Sequence, residues 1–423
     1  MKRLLAATSL AAGILAALPG FAQDKTTVSF LHKFPEPENM AYFDAAVAEY
    51  EAAHPEIDIV MEAVADEPYK DKIRVLMASN QEPDIYFSWS GEFGRKFARE
   101  GRAMDVTEAL SGPEWAGRFS EASLDPFRFD GKQFGIPINI DAKYMVYNKE
   151  IFEKYGLSEP KTFAEFLALL DTLKANGESP IAYGNQAPWA ATHYIGDLFA
   201  KMVPDAVRTA DYQLLSAPDA LYTDPGYVEA LKVYQDMGAK GYFNTGANAI
   251  SHQQARGAFL AGRAPMVYLE IVEFYNMKDS PVDGKWGFFA MPPIEGAKGR
   301  DDLLTGAPDG FLISSKAEHP EAALDFLNFL TSPEQAAKYV SVTGMTSAVI
   351  GSVTPETASP EVLAGLARLE EAGGMALWLD TDMDTQSANV ILAAGQALLA
   401  GEETPEAVME KVRAAALEAQ AAR

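Results

Sequence analysis

The chain of 423 residues contains no cysteine. That absence excludes disulfides, a thiol nucleophile and the acylated cysteine that anchors a bacterial lipoprotein. Positive charge is also scarce: 35 basic residues face 60 acidic ones, for a formal charge of -25. Such a surface repels nucleic acid and anionic lipid. No Gly-x-Ser-x-Gly elbow, no His-Glu-x-x-His and no phosphate-cradling glycine loop occurs, so the common catalytic signatures are missing. A long apolar run occurs only at the start, from Leu4 to Leu18. It is shorter than the roughly 18 residues that span a bilayer.

What stands around that run reads as a secretory leader. Lys2 and Arg3 precede it, and Gly20-Phe21-Ala22 places small residues where a signal peptidase reads, giving 1-22 as the leader and Gln23 as the first mature residue. Gln23 and Asp24 stand where a lipoprotein would carry its cysteine. The sequence therefore predicts an exported protein of the periplasm, held together by apolar burial alone. With the leader removed the formal charge becomes -27, a value that speaks to solubility rather than fold.

Strand and helix periods alternate along the mature chain. Thr26 to Leu31 reads as a strand, Met40 to Ala53 as a helix and Ile57 to Val64 as a strand, which together make a βαβ unit. Pro83 to Phe87 reads as a buried strand entering a loop at Ser88 to Glu92, and Lys143 to Asn148 as another strand. Thr162 followed by Glu165 forms a capping box that opens a helix ending before Gly177. Phe311 to Ser314 reads as a strand preceded by a turn, Gly306 to Gly310. The alternation predicts an α/β fold with mostly parallel sheet, whose ligands bind beyond the carboxyl ends of the strands.

Several segments in this order resemble the extracellular solute-binding proteins of ABC importers, the large family of maltose-type and multiple-sugar receptors. They are Tyr50 to Ile57, Pro83-Asp84-Ile85, Tyr147 to Phe152, Lys161 to Phe166, Phe259 to Met266 and Leu330 to Gln335. Two departures stand beside them. Where the family commonly has glycine and a stacking tryptophan after the strand at Met266, this chain reads Tyr268-Leu269-Glu270; where it often has proline after Gly344, this chain reads Met345-Thr346-Ser347.

The resemblance implies a two-lobe periplasmic binding protein fold of type II, closing on ligand in the cleft. The first lobe would hold 23-137 and 285-331, the second 138-284 and 332-423, with passages near Pro137, Gly284 and Thr331. The ligand would be a carbohydrate, most simply a di- or oligosaccharide, and the other partners ABC permease subunits of the inner membrane. A monomer is expected, without cofactor, metal or nucleic acid.

A sugar needs flat aromatic faces and in-plane hydrogen-bonding groups. Trp89 with Ser90 and Glu92, Trp189 with His193, and Trp378 with Asp380 are the candidate clusters in loop positions. Asp141, Glu270, Asp309 with Gly310, and His32 and Glu38 in the first loop complete the candidate set. Trp115 and Trp286 read as packing residues. Asp380, Asp382 and Asp384 resemble the front of a calcium loop, but Thr385 and Ile391 replace the glycine and glutamate that such a loop needs. Two other functions use similar residues: a secreted glycoside hydrolase, with a carboxylate pair about 5 to 10 Å apart, and a receptor for a charged solute.

Overall fold

The computed structural model describes residues 25–422; the expected leader, Met1 to Ala22, lies outside the described residues. Eleven strands are formed among these: β1 (Thr26–His32), β2 (Ile57–Ala63), β3 (Ile85–Trp89), β4 (Arg128–Phe129), β5 (Lys132–Gln133), β6 (Gly135–Asn148), β7 (Ile181–Ala182), β8 (Met266–Glu270), β9 (Trp286–Phe289), β10 (Leu303–Ile313) and β11 (Gly374–Ala376). The main sheet runs β2-β1-β3-β10-β6-β8-β7, with β9 added to β6 and β11 to β10; β4 and β5 form a separate ribbon. The parallel pairings foreseen from βαβ alternation are present in β1 with β2 and β3, and in β7 with β8. The long strands β6 and β10 add antiparallel ones, with each other and with β3, β8 and β9, so the sheet is mixed.

β6 and β10 join the two lobes. The first part of β6, Gly135 to Ala142, pairs with β10, and its second part, Lys143 to Asn148, pairs with β8 and β9. Around the first part lie Phe30, Phe43, Phe87, Phe311 and Phe326, an apolar core that continues along one face of β6 to Tyr144 and Val146. Phe166, Leu170, Phe199, Leu231 and Ile391 build the core of the second lobe. Trp115 and Trp286 are buried, Trp286 with its edge on Phe274 at 5.0 Å.

The passages expected near Gly284 and Thr331 lie beside β9 and the helix Pro333–Thr343. Residues beyond Gly284 form β9 on the second half of β6, with Phe289 in the second core and Trp286 and Phe288 in the first. The return is β10 itself. Beyond Thr331 the helix Pro333–Thr343 stays with the first lobe, where Tyr339 meets Tyr42 ring to ring at 5.0 Å. The crossing follows Gly344: Ala348 N donates to Ile138 O at 3.0 Å and Thr346 Oγ1 to Ile140 O, before the helix Pro360–Glu371 settles on Tyr144.

The turn expected at Gly306 to Gly310 is continuous strand. Proline removes a ladder donor and is tolerated in a sheet chiefly at edges and bulges. Here the register of β6 and β10 shifts between Asp309 and Gly310, and Pro308 and Pro137 flank that irregularity. Half of the expected box forms: the Thr162 hydroxyl accepts from Glu165 N, but the Glu165 carboxylate accepts from Lys161 N, one residue before the cap.

Gly306 allows the two crossing strands to touch: a Cβ there would stand 2.2 Å from Asp141 O. Gly306→Ala should therefore lower unfolding stability by about 1 to 3 kcal/mol, the scale of overpacking. Gly257, in the helix His252–Leu260, has nothing within 4 Å of such a Cβ, and Gly257→Ala should raise stability by about 1 kcal/mol. Urea midpoints of the two variants moving the same way would contradict this packing.

Candidate ligand-binding cleft

A cavity of about 270 Å³ opens between the lobes at the carboxyl ends of β1, β3 and β8. Its floor is the middle of β6. Side chains alternate across a strand, so Asn139, Asp141 and Lys143 share one face; the first two line the cavity and Lys143 reaches Glu270, which lines it too. Asp309 of β10 lies at the same level.

The first-lobe wall is built on Trp89. Its indole meets the edges of Phe87 at 4.9 Å and Phe93 at 5.0 Å, and two ammonium groups lie over it, Lys33 at 4.9 Å and Lys70 at 5.2 Å from the ring centre. Each lysine is held by two carboxylates. Lys33 Nζ is 3.4 Å from Asp309 and from Asp66; Lys70 Nζ is 3.2 Å from Glu67 and 3.4 Å from Asp380.

The second-lobe wall carries Trp189, His193 and Trp378. Trp189 and His193 lie four residues apart on the helix Trp189–Met202 and share a face. His193 stacks on Trp378 at 4.5 Å and 21°. Trp189 is half-buried, the most open of the three indoles, with His193 at 5.0 Å, His252 at 5.1 Å and the Lys143 ammonium at 5.4 Å. Lys143 donates to Glu270 at 3.0 Å, while Glu273 accepts from His252 at 2.9 Å and from Arg256 at 2.7 Å.

Burial governs the protonation states. It pushes Asp309 up to about 6, although Lys33 pulls the other way. It raises Asp141 well above the usual carboxylate range, helped by Glu270 and Asp309, and drives His193 well below its ordinary value, helped by Lys143. His193 is thus a neutral ring. Burial also opposes charge on Lys33 and on Glu273; Asp309, Asp66 and Glu270 outweigh it for the lysine, and His252, Lys143 and Arg256 outweigh it for the glutamate.

The cavity brings together Trp89, Asp141, Trp189 and His193 with Glu270, Asp309, Trp378 and Asp380. The remaining candidates lie elsewhere. His32 is a core ring, packed on Phe43 at 4.5 Å, accepting from Phe34 N and pushed down to about 4 by burial. Glu38 is exposed in the first turn of the helix Pro37–Ala53, and Glu92 is bound to Arg99. Ser90 is buried outside the cavity. Gly310 admits the close approach of β6, since a Cβ would stand 2.6 Å from Ile136 O. Lys33, Lys70, Lys143, His252, Arg256 and Glu273 were not among the sequence candidates. For Lys143 a signal existed: polar residues at 139, 141 and 143 on alternate positions of an otherwise apolar strand mark a face turned toward something polar.

The profile of the bacterial extracellular solute-binding proteins matches residues 35–337, and the chain belongs to that family, whose members are binding receptors rather than enzymes. The multiple sugar-binding protein of Streptococcus mutans is 25% identical over 361 residues, covering 84% of this chain and 82% of that one. Among solved structures, a chitin oligosaccharide binding protein superimposes with a TM-score of 0.85 at 24% identity, over 94% of this chain and all 100% of the other. A sugar transporter protein of Bacillus licheniformis in complex with stachyose gives 0.71 at 19%, over 92% and 98%. At such identities these likenesses establish the fold, that of a two-lobed binding protein. Among the described residues no helix is long and apolar enough to cross a membrane.

Asp309 titrates near 6 in the folded chain against about 3.9 unfolded. Between those values the native state holds a proton that the unfolded state has lost, so stability falls as pH rises through the window. The stability of the wild type relative to Asp309→Asn should drop by about 2 to 3 kcal/mol between pH 4 and 7. Urea titrations across that range check it; a flat difference would remove Asp309 from the titration.

Proposed function

We propose that the protein is the substrate-binding component of an ABC importer, capturing a neutral di- or oligosaccharide between its lobes and delivering it to permease subunits. It works as a monomer exported to the periplasm, and it binds its ligand without converting it. The observation that carries this reading is Trp189, a half-buried indole that is the most open of three in a cavity lined besides by carboxylates, amides, imidazoles and paired cations. A sugar face stacks on such a ring while its hydroxyls take the in-plane groups. The relatives named for multiple sugars, chitin oligosaccharide and stachyose point the same way.

Charge supports a neutral ligand over an anionic solute. The ammonium groups of Lys33, Lys70 and Lys143 and the Arg256 guanidinium each already meet a carboxylate. An anionic solute would have to break one of those buried pairs and leave a charge uncompensated, which is costly. The cavity volume lies just under the roughly 300 Å³ at which small-molecule pockets commonly begin, favouring a disaccharide over a longer chain.

A thermal-shift panel of neutral mono-, di- and oligosaccharides, uronic acids, amino sugars and polyamines tests the reading, because a ligand bound only by the folded state raises Tm. A neutral disaccharide should raise it most; a rise with polyamines or uronates alone, or release of new reducing ends from an oligosaccharide, overturns it. In calorimetric titration with the best sugar, Trp189→Ala should weaken binding by about 1 to 3 kcal/mol. An unchanged Kd would take Trp189 out of the site.

A further inference from the structure

On one flank of the cleft the lobes touch through residues that do not line the cavity. The short helix Leu379–Asp382 belongs to the second lobe, where Leu379 is buried in the core against Gly196. Its outer side meets the first lobe at Gly91, the residue that precedes the helix Glu92–Arg99. A Cβ on Gly91 would stand 2.9 Å from Thr381 O and 3.1 Å from Asp382 Oδ1, so the segment fits there only because that position has no side chain. One turn along the helix, Arg95 Nη1 lies 3.5 Å from Asp382 Oδ1, both side chains being mostly buried. Gly91, Arg95 and Asp382 are all absent from the cavity lining.

We propose that Gly91, Arg95 and Asp382 form an interlobe latch, a contact separate from the ligand's own that favours the closed form and tunes affinity through the open–closed equilibrium. Arg95 and Asp382 belong to different lobes, so their attraction exists only when the lobes are together. An interaction present in one of two states shifts the population toward that state by its own free energy. Apparent affinity then scales with the fraction of binding-competent protein. The carboxylate keeps a second cation within its own lobe, Arg208, so losing Arg95 weakens closure without stripping Asp382 of every partner. The geometric part of this proposal is independent of the ligand; only its affinity part rests on the sugar-receptor reading.

The absence of cysteine makes the test direct. Val75→Cys in the first lobe and Leu215→Cys in the second, both well exposed, give two unique sites for spin labels. Pulsed dipolar spectroscopy on the ligand-free protein should show Arg95→Gln and Gly91→Ala each shifting the interlobe distance toward longer values. Arg74→Gln, which removes an exposed pair within one helix of the first lobe, should leave it unchanged. With the sugar found in the thermal panel, Arg95→Gln should raise Kd about tenfold, mainly through faster dissociation. Gly91→Ala also strains a backbone at φ 79°, so a folding defect in it leaves Arg95→Gln as the deciding variant. Unchanged distances in Arg95→Gln overturn the latch whatever the ligand does. A shifted distance in a protein that binds no sugar upholds the latch and overturns the sugar reading.

Discussion

The antiparallel pairing of β6 with β10 carries the architecture. β6 runs from one lobe's core into the other's. β10 runs from the first core to the helix Trp189–Met202, where Thr305 donates to Asp197, and the cavity floor is made where the two strands cross. A strand buried on both faces ordinarily reads as a nearly continuous apolar run. In β6 that run is interrupted by Asn139, Asp141 and Lys143, on the face turned toward the cleft, while Ile136, Ile138 and Ala142 hold the opposite face in the core. One strand thus supplies the fixed link between the lobes and the polar groups that line their gap. A rigid sheet element holds such groups more exactly in place than a loop would, which matters where a degree of misalignment loses a hydrogen bond.

Placing carboxylates on that floor has an electrostatic cost that organises the walls. Asp141 and Asp309 are removed from water and their charged forms are disfavoured. Lysines brought from other elements reduce the penalty: Lys33 from the loop after β1 meets Asp309, and Lys70 from the helix Asp66–Ala78 meets Asp380. Their ammonium heads lie over Trp89, where the ring's negative face adds a further attraction. The Trp89 ring is therefore buried under two cations, whereas Trp189, with only Lys143 over it, is the more open aromatic surface of the cleft.

Local signals in the sequence marked the β1, helix, β2 unit and the Thr162 cap, because each depends on residues within a turn or two. The aromatic and acidic residues of the cleft were visible too, as tryptophan or aspartate standing in Pro- and Gly-broken loops. The crossing strands were harder to read. Pro137 and the run Gly306 to Gly310 carry every mark of a turn, and only the bulge between Asp309 and Gly310, a property of the pairing rather than of either strand, makes room for them. His32 looked like a loop ligand because it adjoins a proline-rich stretch; three phenylalanines from the core enclose it instead. The lysines were missed for a reason of distance. Lys70 and its partner Asp380 are 310 positions apart, and no local pattern records such a pairing.

Asp380, Asp382 and Asp384 show how spacing acquires meaning only with backbone geometry. In a calcium loop, alternate residues turn their oxygens inward to one point. Here the first two sit in a helical turn, where each residue advances by about 100° and positions two apart face nearly opposite ways. Asp380 accordingly points into the cavity toward Lys70 and Thr192, and Asp382 points away to Arg95 of the other lobe. Asp384, past the end of the turn, accepts from Gln386 N and Ser387 N and starts the helix Thr385–Ala400. The same few residues thus line the cavity on one side, grip the opposite lobe on the other and are anchored to the second core by Leu379. A short, stiff element with those three attachments cannot follow a ligand in the cavity without also altering its hold on the first lobe, which is the physical requirement for coupling occupancy to closure.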